Sequence, residues 1–200
     1  MGLREANKER MKARLYESAL ALFRERGFKE TRVTDIVEAA QVSEATFFNY
    51  FPTKQAVLDQ SSVETKQYYG AYLQHLLARS DEPASVRLRE LARVIASVFA
   101  RDREFMSTVL NNTDLFFDST GAGKQLDLDN SHLLADLFRQ GQTQGEFDKR
   151  LDPVQLAEIY NATQLLTTLN WVNQWWGASK QKLEPRLLAA INVVLRGAAP

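Results

Sequence analysis

The sequence contains no cysteine and only two histidines, His75 and His132. Disulfides and thiolate metal sites are therefore excluded, which is typical of proteins from the reducing cytoplasm. The two histidines lie far apart in sequence, so we expect no metal site and no cofactor. No apolar run approaches the roughly 18 residues that cross a bilayer, and the first residues lack the apolar centre of a signal peptide. We expect a cytoplasmic protein without a membrane partner.

The formal net charge is zero, so total charge gives no sign of a nucleic-acid partner. The distribution of charge is more informative. Residues 1–58 carry ten Lys and Arg against eight Asp and Glu, and residues 1–14 carry five against two. A basic segment of this kind can lie along phosphates, but a solvated helix start explains it equally well.

The 200 residues are 44% hydrophobic, which is ample for a folded core. We find no Asn-Gly hairpin and no sustained period-two run, whereas apolar residues recur at helical spacing. This pattern predicts an all-α protein of about nine helices. Candidate N-caps are Thr31, Ser43, Thr53 and Asp152. The predicted helices cover residues 7–26, 33–40, 43–51, 53–79, 83–101, 104–111, 126–145, 153–176 and 185–196.

Two short helices joined by a tight turn, after a longer first helix, predict a helix-turn-helix unit. The second short helix of such a unit enters the DNA major groove. Phe47 and Phe51 are four residues apart and share a face, so we assign them to the core. Phe48 and Asn49 are then left to point outward, while Tyr50 lies at the edge, where a phenol can contact phosphates.

Residues 11–58 resemble the DNA-binding domain of TetR-family transcriptional regulators. The resemblance rests on the phrase LFRERGFKETRVTDIVEAAQVSEATFFNYFPTKQAVL, which follows the family's pattern without gaps. Three positions depart from it. Gln41 stands where the turn usually has glycine, Glu44-Ala45 replaces the common small-residue entry, and Phe48 replaces a common tyrosine.

The resemblance implies a helix-turn-helix DNA-binding domain over residues 1–52 and a helical effector-binding and dimerisation domain over residues 53–200. It also implies a set of contacts to double-stranded DNA. The expected DNA-binding residues are Arg32, Thr34, Ser43, Ala45, Thr46, Phe48, Asn49, Tyr50 and Lys54. Of these, Thr46, Tyr50 and Lys54 match the family's motif best.

The C-terminal half contains two helices whose apolar residues are not confined to one stripe. A helix that is apolar all round is buried on more than one side. Either these helices fill the core of a monomer, or a two-fold partner covers them. With the resemblance, we favour a homodimer. The expected dimerisation residues are Leu156, Leu166, Leu169, Leu187 and Val194.

An effector pocket is expected among the helices between residues 53 and 176. Its candidate wall consists of aromatic residues, each of which could equally be plain core. They are Tyr69, Tyr72, Phe99, Phe105, Phe116, Phe138 and Trp175. No buried pair of charges is visible in the sequence, so a small apolar effector is favoured.

These observations predict a ligand-responsive, dimeric DNA-binding regulator, most simply a nucleoid-associated repressor that a small molecule releases from a two-fold operator. The alternative is an all-α adaptor that no longer reads DNA, which Gln41, Glu44 and the neutral charge leave open. An enzyme is not expected, because the sequence has neither a Gly-x-Ser-x-Gly motif nor a cluster of metal ligands.

Overall fold

The computed structural model describes residues 2–112, 121–175 and 182–200. Within these ranges the chain forms nine α-helices and no β-strand, which confirms the predicted all-α class. The helices are α1 (Leu3–Arg26), α2 (Val33–Ala39), α3 (Glu44–Tyr50), α4 (Lys54–Ala78), α5 (Ala84–Arg101), α6 (Arg103–Asn112), α7 (Gly121–Thr143), α8 (Pro153–Val172) and α9 (Leu183–Gly197).

Helices α1, α2 and α3 share a small core. Leu15 and Phe23 of α1, Ile36 of α2 and Phe47 of α3 are almost completely buried. The apolar stripe of α1 therefore has the partners that its spacing requires. Burying each of these side chains contributes roughly 1.5–3 kcal/mol to folding, so the short helices α2 and α3 depend on this core.

The remaining helices form a bundle in which α4 packs along α7, α7 along α8, and both α5 and α8 against α9. Tyr160 of α8 lies fully inside this bundle, and its hydroxyl donates a 2.7 Å hydrogen bond to the Leu88 carbonyl of α5. Its ring packs edge-on against Phe138 of α7. None of the described helices has the length and apolar character needed to cross a membrane.

Three of the four predicted N-caps are confirmed. The side-chain oxygens of Ser43, Thr53 and Asp152 each accept a backbone N–H from the first turn of α3, α4 and α8. The prediction for Thr31 is wrong. Its buried hydroxyl instead donates to the carbonyls of α1 and its C-cap, and Arg32 takes the N-cap position of α2.

Three helix boundaries also differ from the predictions by more than two residues. Helix α1 begins at Leu3 rather than residue 7, because the Gly2 carbonyl accepts the first backbone hydrogen bonds. Helix α7 begins at Gly121 rather than residue 126, and the side chain of Gln125 donates to Asp129 one turn later. Helix α8 ends at Val172, shortly before residue 174 takes a left-handed backbone conformation.

The domain boundary predicted between residues 52 and 53 falls at the N-terminus of α4, and two side-chain contacts cross it further along the chain. The hydroxyl of Tyr16 in α1 donates a 2.7 Å hydrogen bond to Glu64 in α4. The guanidinium of Arg24 in α1 pairs with Asp102 at 2.8 Å and lies 4.3 Å from the ring centre of Phe105 in α6. These contacts connect α1 to α4 and to the start of α6.

Candidate DNA-binding surface

The turn between α2 and α3 keeps the geometry of a glycine turn although it contains glutamine. Gln41 has a φ of 53°, in the left-handed region. The next residue closes the turn through the Val42 N–H, which donates to the Val37 carbonyl at 2.9 Å. The left-handed backbone conformation of a non-glycine residue costs about 1 kcal/mol. The turn therefore keeps this shape but lowers the stability of the fold.

Helix α3 is held from one side by aromatic rings. Phe47 and Phe51 are buried, as predicted, and their ring centres lie 5.8 Å apart. Phe51 also stacks on Tyr16 of α1, at 6.5 Å between ring centres. Because these contacts hold one flank of α3, the side chains on its opposite flank have fixed positions relative to the three-helix core.

The opposite flank is open to solvent. Ala45 and Asn49 are exposed, and Phe48 is 50% exposed, with its ring edge-on to Phe47. Small, amide and apolar side chains of this kind can contact thymine methyl groups and adenine edges in the major groove. Thr46 is half-buried, and its hydroxyl lies 2.9 Å from that of Ser43, so it is oriented before any DNA arrives.

The expected contacts on α2 lie beside this flank. Arg32 and Thr34 are both exposed at the first turn of α2. The Arg32 backbone N–H donates to the Asp35 carboxylate at 2.8 Å, which secures the start of the helix. The Arg32 guanidinium is thus displayed at a helix N-terminus, a position that favours anions such as phosphate.

Tyr50 lies next to the basic start of α1. Together with Arg4, Lys8 and Met11 it borders a surface depression of about 530 Å³. The predicted phenol at the edge of α3 is therefore accompanied by an arginine and a lysine, and also by the carboxylate of Glu5. This arrangement brings the charged N-terminal segment to the same side of the molecule as α3.

Lys54 occupies a different environment from the one that the sequence suggests. Its ammonium donates to the carbonyls of Phe28 and Thr31, the latter at 2.7 Å, and lies 4.4 Å from the centre of the Phe28 ring. Partial burial lowers the pKa of this ammonium. Lys54 therefore ties α4 to the loop between α1 and α2, and a phosphate contact through it remains a proposal.

The expected effector residues differ in burial and in their hydrogen-bond partners. Phe99, Phe105 and Phe138 are buried core residues, and Trp175 is about half exposed. Phe116 lies outside the described residues. The other two are phenols with partners on neighbouring helices: Tyr69 donates to Asn161 at 3.3 Å, and Tyr72 donates to Glu90 at 2.6 Å. Burial and the Glu90 hydrogen bond raise the pKa of Tyr72 to about 12.

The sequence analysis missed a buried ion pair. Lys66 of α4 is 4% exposed, and its ammonium lies 2.8 Å from the Asp127 carboxylate of α7. The sequence shows no buried pair of charges, whereas the structure pairs the buried Lys66 with a carboxylate that is 25% exposed. The sequence did contain an indication that Lys66 is buried. Lys66 follows Leu58 and Ser62 at four-residue intervals along α4, so it lies on the same buried face of the helix.

The expected dimerisation residues divide into two groups. Leu156 and Leu187 are buried within the protomer itself, so they have little side-chain area left for a partner. Leu166 on α8 is 51% exposed, and Val193 on α9, which the sequence analysis did not name, is 72% exposed. Leu169 and Val194 are intermediate in exposure.

Comparison with known proteins agrees with this geometry. The family model of the bacterial regulatory proteins, tetR family, matches residues 15–60. The HTH-type transcriptional regulator LuxR of Vibrio harveyi is 26% identical over 157 residues, which cover 75% of this chain and 73% of that protein.

Two solved structures have the same arrangement of helices. The TetR-family repressor FadR of Thermus thermophilus, in complex with lauroyl-CoA, is 25% identical with a TM-score of 0.70, over 94% of this chain and 95% of that one. FadR of Bacillus subtilis, in complex with stearoyl-CoA, is 18% identical with a TM-score of 0.68, over 92% and 98% of the two chains.

The exposed flank of α3, the preserved turn and the three-helix core define a helix-turn-helix DNA-binding protein. Residues 15–60 thus form a domain of the type found in the bacterial regulatory proteins of the tetR family, and the relatives that align over most of the chain are transcriptional regulators. Two relatives that are at least 25% identical, LuxR of Vibrio harveyi and FadR of Thermus thermophilus, are both regulators of transcription.

Proposed function

We propose that this regulator binds a two-fold operator as a homodimer, acts as a repressor, and is released by a small molecule bound in its C-terminal domain. The observation that carries the proposal is the open flank of α3, where Ala45, Phe48 and Asn49 face solvent while Phe47 and Phe51 hold the helix in place. A dimer presents two such flanks to successive major grooves, about 34 Å apart.

The partner surface is proposed to lie on α8 and α9. Ile159 and Leu166 of α8 and Val193 of α9 are all more than half exposed. Large apolar side chains in this number on two adjacent helices are typical of an interaction surface. A two-fold partner that offers the same two helices would cover them.

Sedimentation velocity tests the dimer directly. We expect the wild-type chain to sediment as a dimer at micromolar concentration and Leu166→Glu to shift it to monomer, because a carboxylate would be desolvated in the interface. Leu128→Glu is the matched control, since Leu128 on α7 has nearly the same exposure as Leu166. A Leu166→Glu variant that stays dimeric would contradict this surface.

The proposed ligand response uses the contacts between the two parts of the chain. The Tyr16–Glu64 and Arg24–Asp102 pairs connect α1 to α4 and to the start of α6. A ligand that displaces α4 or α6 would reorient the helix-turn-helix unit and change the spacing of the two α3 helices. The coupling free energy for such a switch is of order 1–3 kcal/mol.

The effector is proposed to carry an apolar body. Lauroyl-CoA and stearoyl-CoA are the ligands in the two FadR structures, and the core of the present C-terminal domain offers buried Phe99 and Phe138. A binding assay with DNA from upstream of the chain's own gene, with and without lauroyl-CoA, tests both the DNA binding and its release by a ligand. Binding that depends on sequence and falls on ligand addition supports a repressor, whereas sequence-independent binding contradicts it.

A further inference from the structure

The interior of the C-terminal domain contains a row of polar side chains on two helices. Ser62 and Lys66 of α4 and Gln164 and Thr168 of α8 are all more than nine-tenths buried. Burying polar groups costs free energy unless hydrogen bonds replace their hydration. Each of these side chains therefore needs a partner inside the domain. We refer to these four residues as the polar seam.

Lys66 is fixed in position and still has donors to spare. Its ammonium pairs with Asp127, and its backbone carbonyl accepts a 3.0 Å hydrogen bond from the Asn130 side chain of α7. An ammonium has three donors, and the carboxylate of Asp127 takes one of them at 2.8 Å. A ligand oxygen could accept another without breaking the ion pair.

On the α8 side of the polar seam, two side-chain oxygen atoms are buried without a hydrogen-bond partner in the part of the chain that the structure describes. Among the described residues, neither the Gln164 Oε1 nor the Thr168 Oγ1 has a hydrogen-bond partner. Gln164 is 4% exposed and Thr168 is 1% exposed, so bulk water does not satisfy them. Buried unsatisfied atoms are rare in folded proteins, so each of these two oxygens calls for an explanation.

The directions of the helices place the two sides of the polar seam at the same level of the bundle. Helix α4 runs parallel to α7, because Lys66 contacts Asn130 and, two to three turns later, the Leu77 carbonyl accepts from Gln140. Gly70 permits this close packing, since a Cβ there would lie 2.4 Å from the Asn130 Oδ1. Helix α8 runs antiparallel to α7, because the Gln142 side chain reaches the carbonyl of residue 151 just before α8 begins.

Helices α4 and α8 are therefore antiparallel, and the Tyr69–Asn161 hydrogen bond sets their register. One turn back along α4 from Tyr69 is Lys66, and one turn forward along α8 from Asn161 is Gln164. A further turn in each direction reaches Ser62 and Thr168. Gln164 and Thr168 also lie on the same buried stripe of α8 as Tyr160, which faces the domain interior.

We propose that the polar seam binds the polar end of an amphipathic effector that carries a carbonyl or carboxylate oxygen together with a nearby O–H or N–H group. The oxygen accepts from Lys66, and the O–H or N–H donates to Gln164. The hydroxyl of Thr168 completes the site. This inference rests on the proposed ligand response and specifies the chemistry of its ligand.

The test uses three probes of equal chain length: 3-hydroxydecanoate, decanoate and decan-1-ol. Only the first carries both a carboxylate oxygen that can accept from Lys66 and a separate hydroxyl that can donate to Gln164. Calorimetric titration of the DNA-free, full-length protein should give the lowest Kd for 3-hydroxydecanoate. The Kd of each of the other two probes should be about tenfold higher, because a lost hydrogen bond worth about 1.4 kcal/mol changes the Kd tenfold. No binding of 3-hydroxydecanoate, or equal affinity for all three probes, would overturn the proposal.

Two variants separate the polar seam from a general effect on the fold. Gln164→Leu should weaken 3-hydroxydecanoate binding about tenfold and leave decanoate binding nearly unchanged. Gln155→Leu is the matched control, because Gln155 lies exposed on the same helix, and it should bind all three probes as the wild type does. If Gln164→Leu binds 3-hydroxydecanoate as the wild type does, Gln164 is not part of the site.

Stability without any probe gives an independent readout. Thr168→Val has nearly the same shape and removes a buried hydroxyl that lacks a partner, so it should raise the unfolding temperature by about 2–4 °C. A lower unfolding temperature would mean that the hydroxyl is already satisfied, which contradicts the proposal. These results do not depend on DNA release, so a failure of the polar seam is distinguishable from a failure of the proposed repressor function.

Discussion

The replacement of Lys54 by methionine should change both stability and DNA binding, for two different reasons. Methionine keeps most of the apolar stem but removes the ammonium that donates to the carbonyls of Phe28 and Thr31. Hydrogen bonds from charged groups contribute roughly 1.5–3 kcal/mol, and Lys54 is only partly buried, so we expect a loss of about 2 kcal/mol. For a chain of this size that loss lowers the unfolding temperature by about 4–8 °C.

The same substitution should also reduce the salt dependence of DNA binding. The third hydrogen bond of the ammonium, to the Lys29 carbonyl, is the longest at 3.4 Å, so a phosphate oxygen could replace that carbonyl as the acceptor. Removal of one phosphate contact lowers the slope of log K against log salt concentration by about 0.9. Fluorescence anisotropy with labelled upstream DNA at several salt concentrations measures this slope.

Lys29→Met is the control for stability, because Lys29 is an exposed lysine of the same loop and donates no hydrogen bond to these carbonyls through its side chain. If Lys54→Met unfolds at the wild-type temperature, the carbonyl contacts do not stabilise the fold. If stability falls but the salt slope does not change, Lys54 is purely structural and the proposed phosphate contact is wrong.

Two further predictions concern other parts of the chain. Gln41→Gly should raise the free energy of unfolding by about 0.5–1 kcal/mol, because the relief of a left-handed glutamine outweighs the entropy that glycine loses on folding; chemical denaturation measures it, and a destabilised variant would contradict the strained turn. Hydrogen bonds from Arg79 and Tyr72 lower the pKa of Glu90. A lowered pKa in the folded state means that the carboxylate stabilises the protein above its unfolded pKa, near 4.3, and that this stabilisation is lost as the pH falls through the folded value. Glu90→Gln should therefore flatten the decline in unfolding temperature between about pH 5 and pH 3, and a decline as steep as that of the wild type would refute this role.

The helix-turn-helix unit could be predicted from the sequence because its determinants are local. The hydrogen bond that caps α3 joins the Thr46 N–H to the Ser43 hydroxyl, three residues earlier. The two rings that anchor α3 belong to Phe47 and Phe51, which are four residues apart. Spacings of this kind can be read directly from a sequence. The left-handed conformation of Gln41 was also foreseeable, because the aligned position in the family usually carries glycine.

The environments that the sequence did not reveal depend on contacts between distant residues. Lys54 reaches carbonyls 23 and 26 residues earlier in the chain, and Lys66 reaches a carboxylate 61 residues later. Neither partner can be identified from helical periodicity. For the same reason the apolar residues of α8 could not be divided between core and surface, and Leu156 proved to be core while Leu166 is exposed.

The most direct test of the account compares DNA binding by the wild type and by Asn49→Ala on upstream DNA and on a shuffled sequence of the same composition. Asn49 is exposed on α3 and has no part in the buried anchor, so the fold should be unaffected. We expect binding to the upstream DNA to weaken by about 1–3 kcal/mol, with no change on shuffled DNA and no change in salt slope. Equal affinity of Asn49→Ala and wild type for the upstream DNA would contradict the claim that this flank of α3 reads the operator.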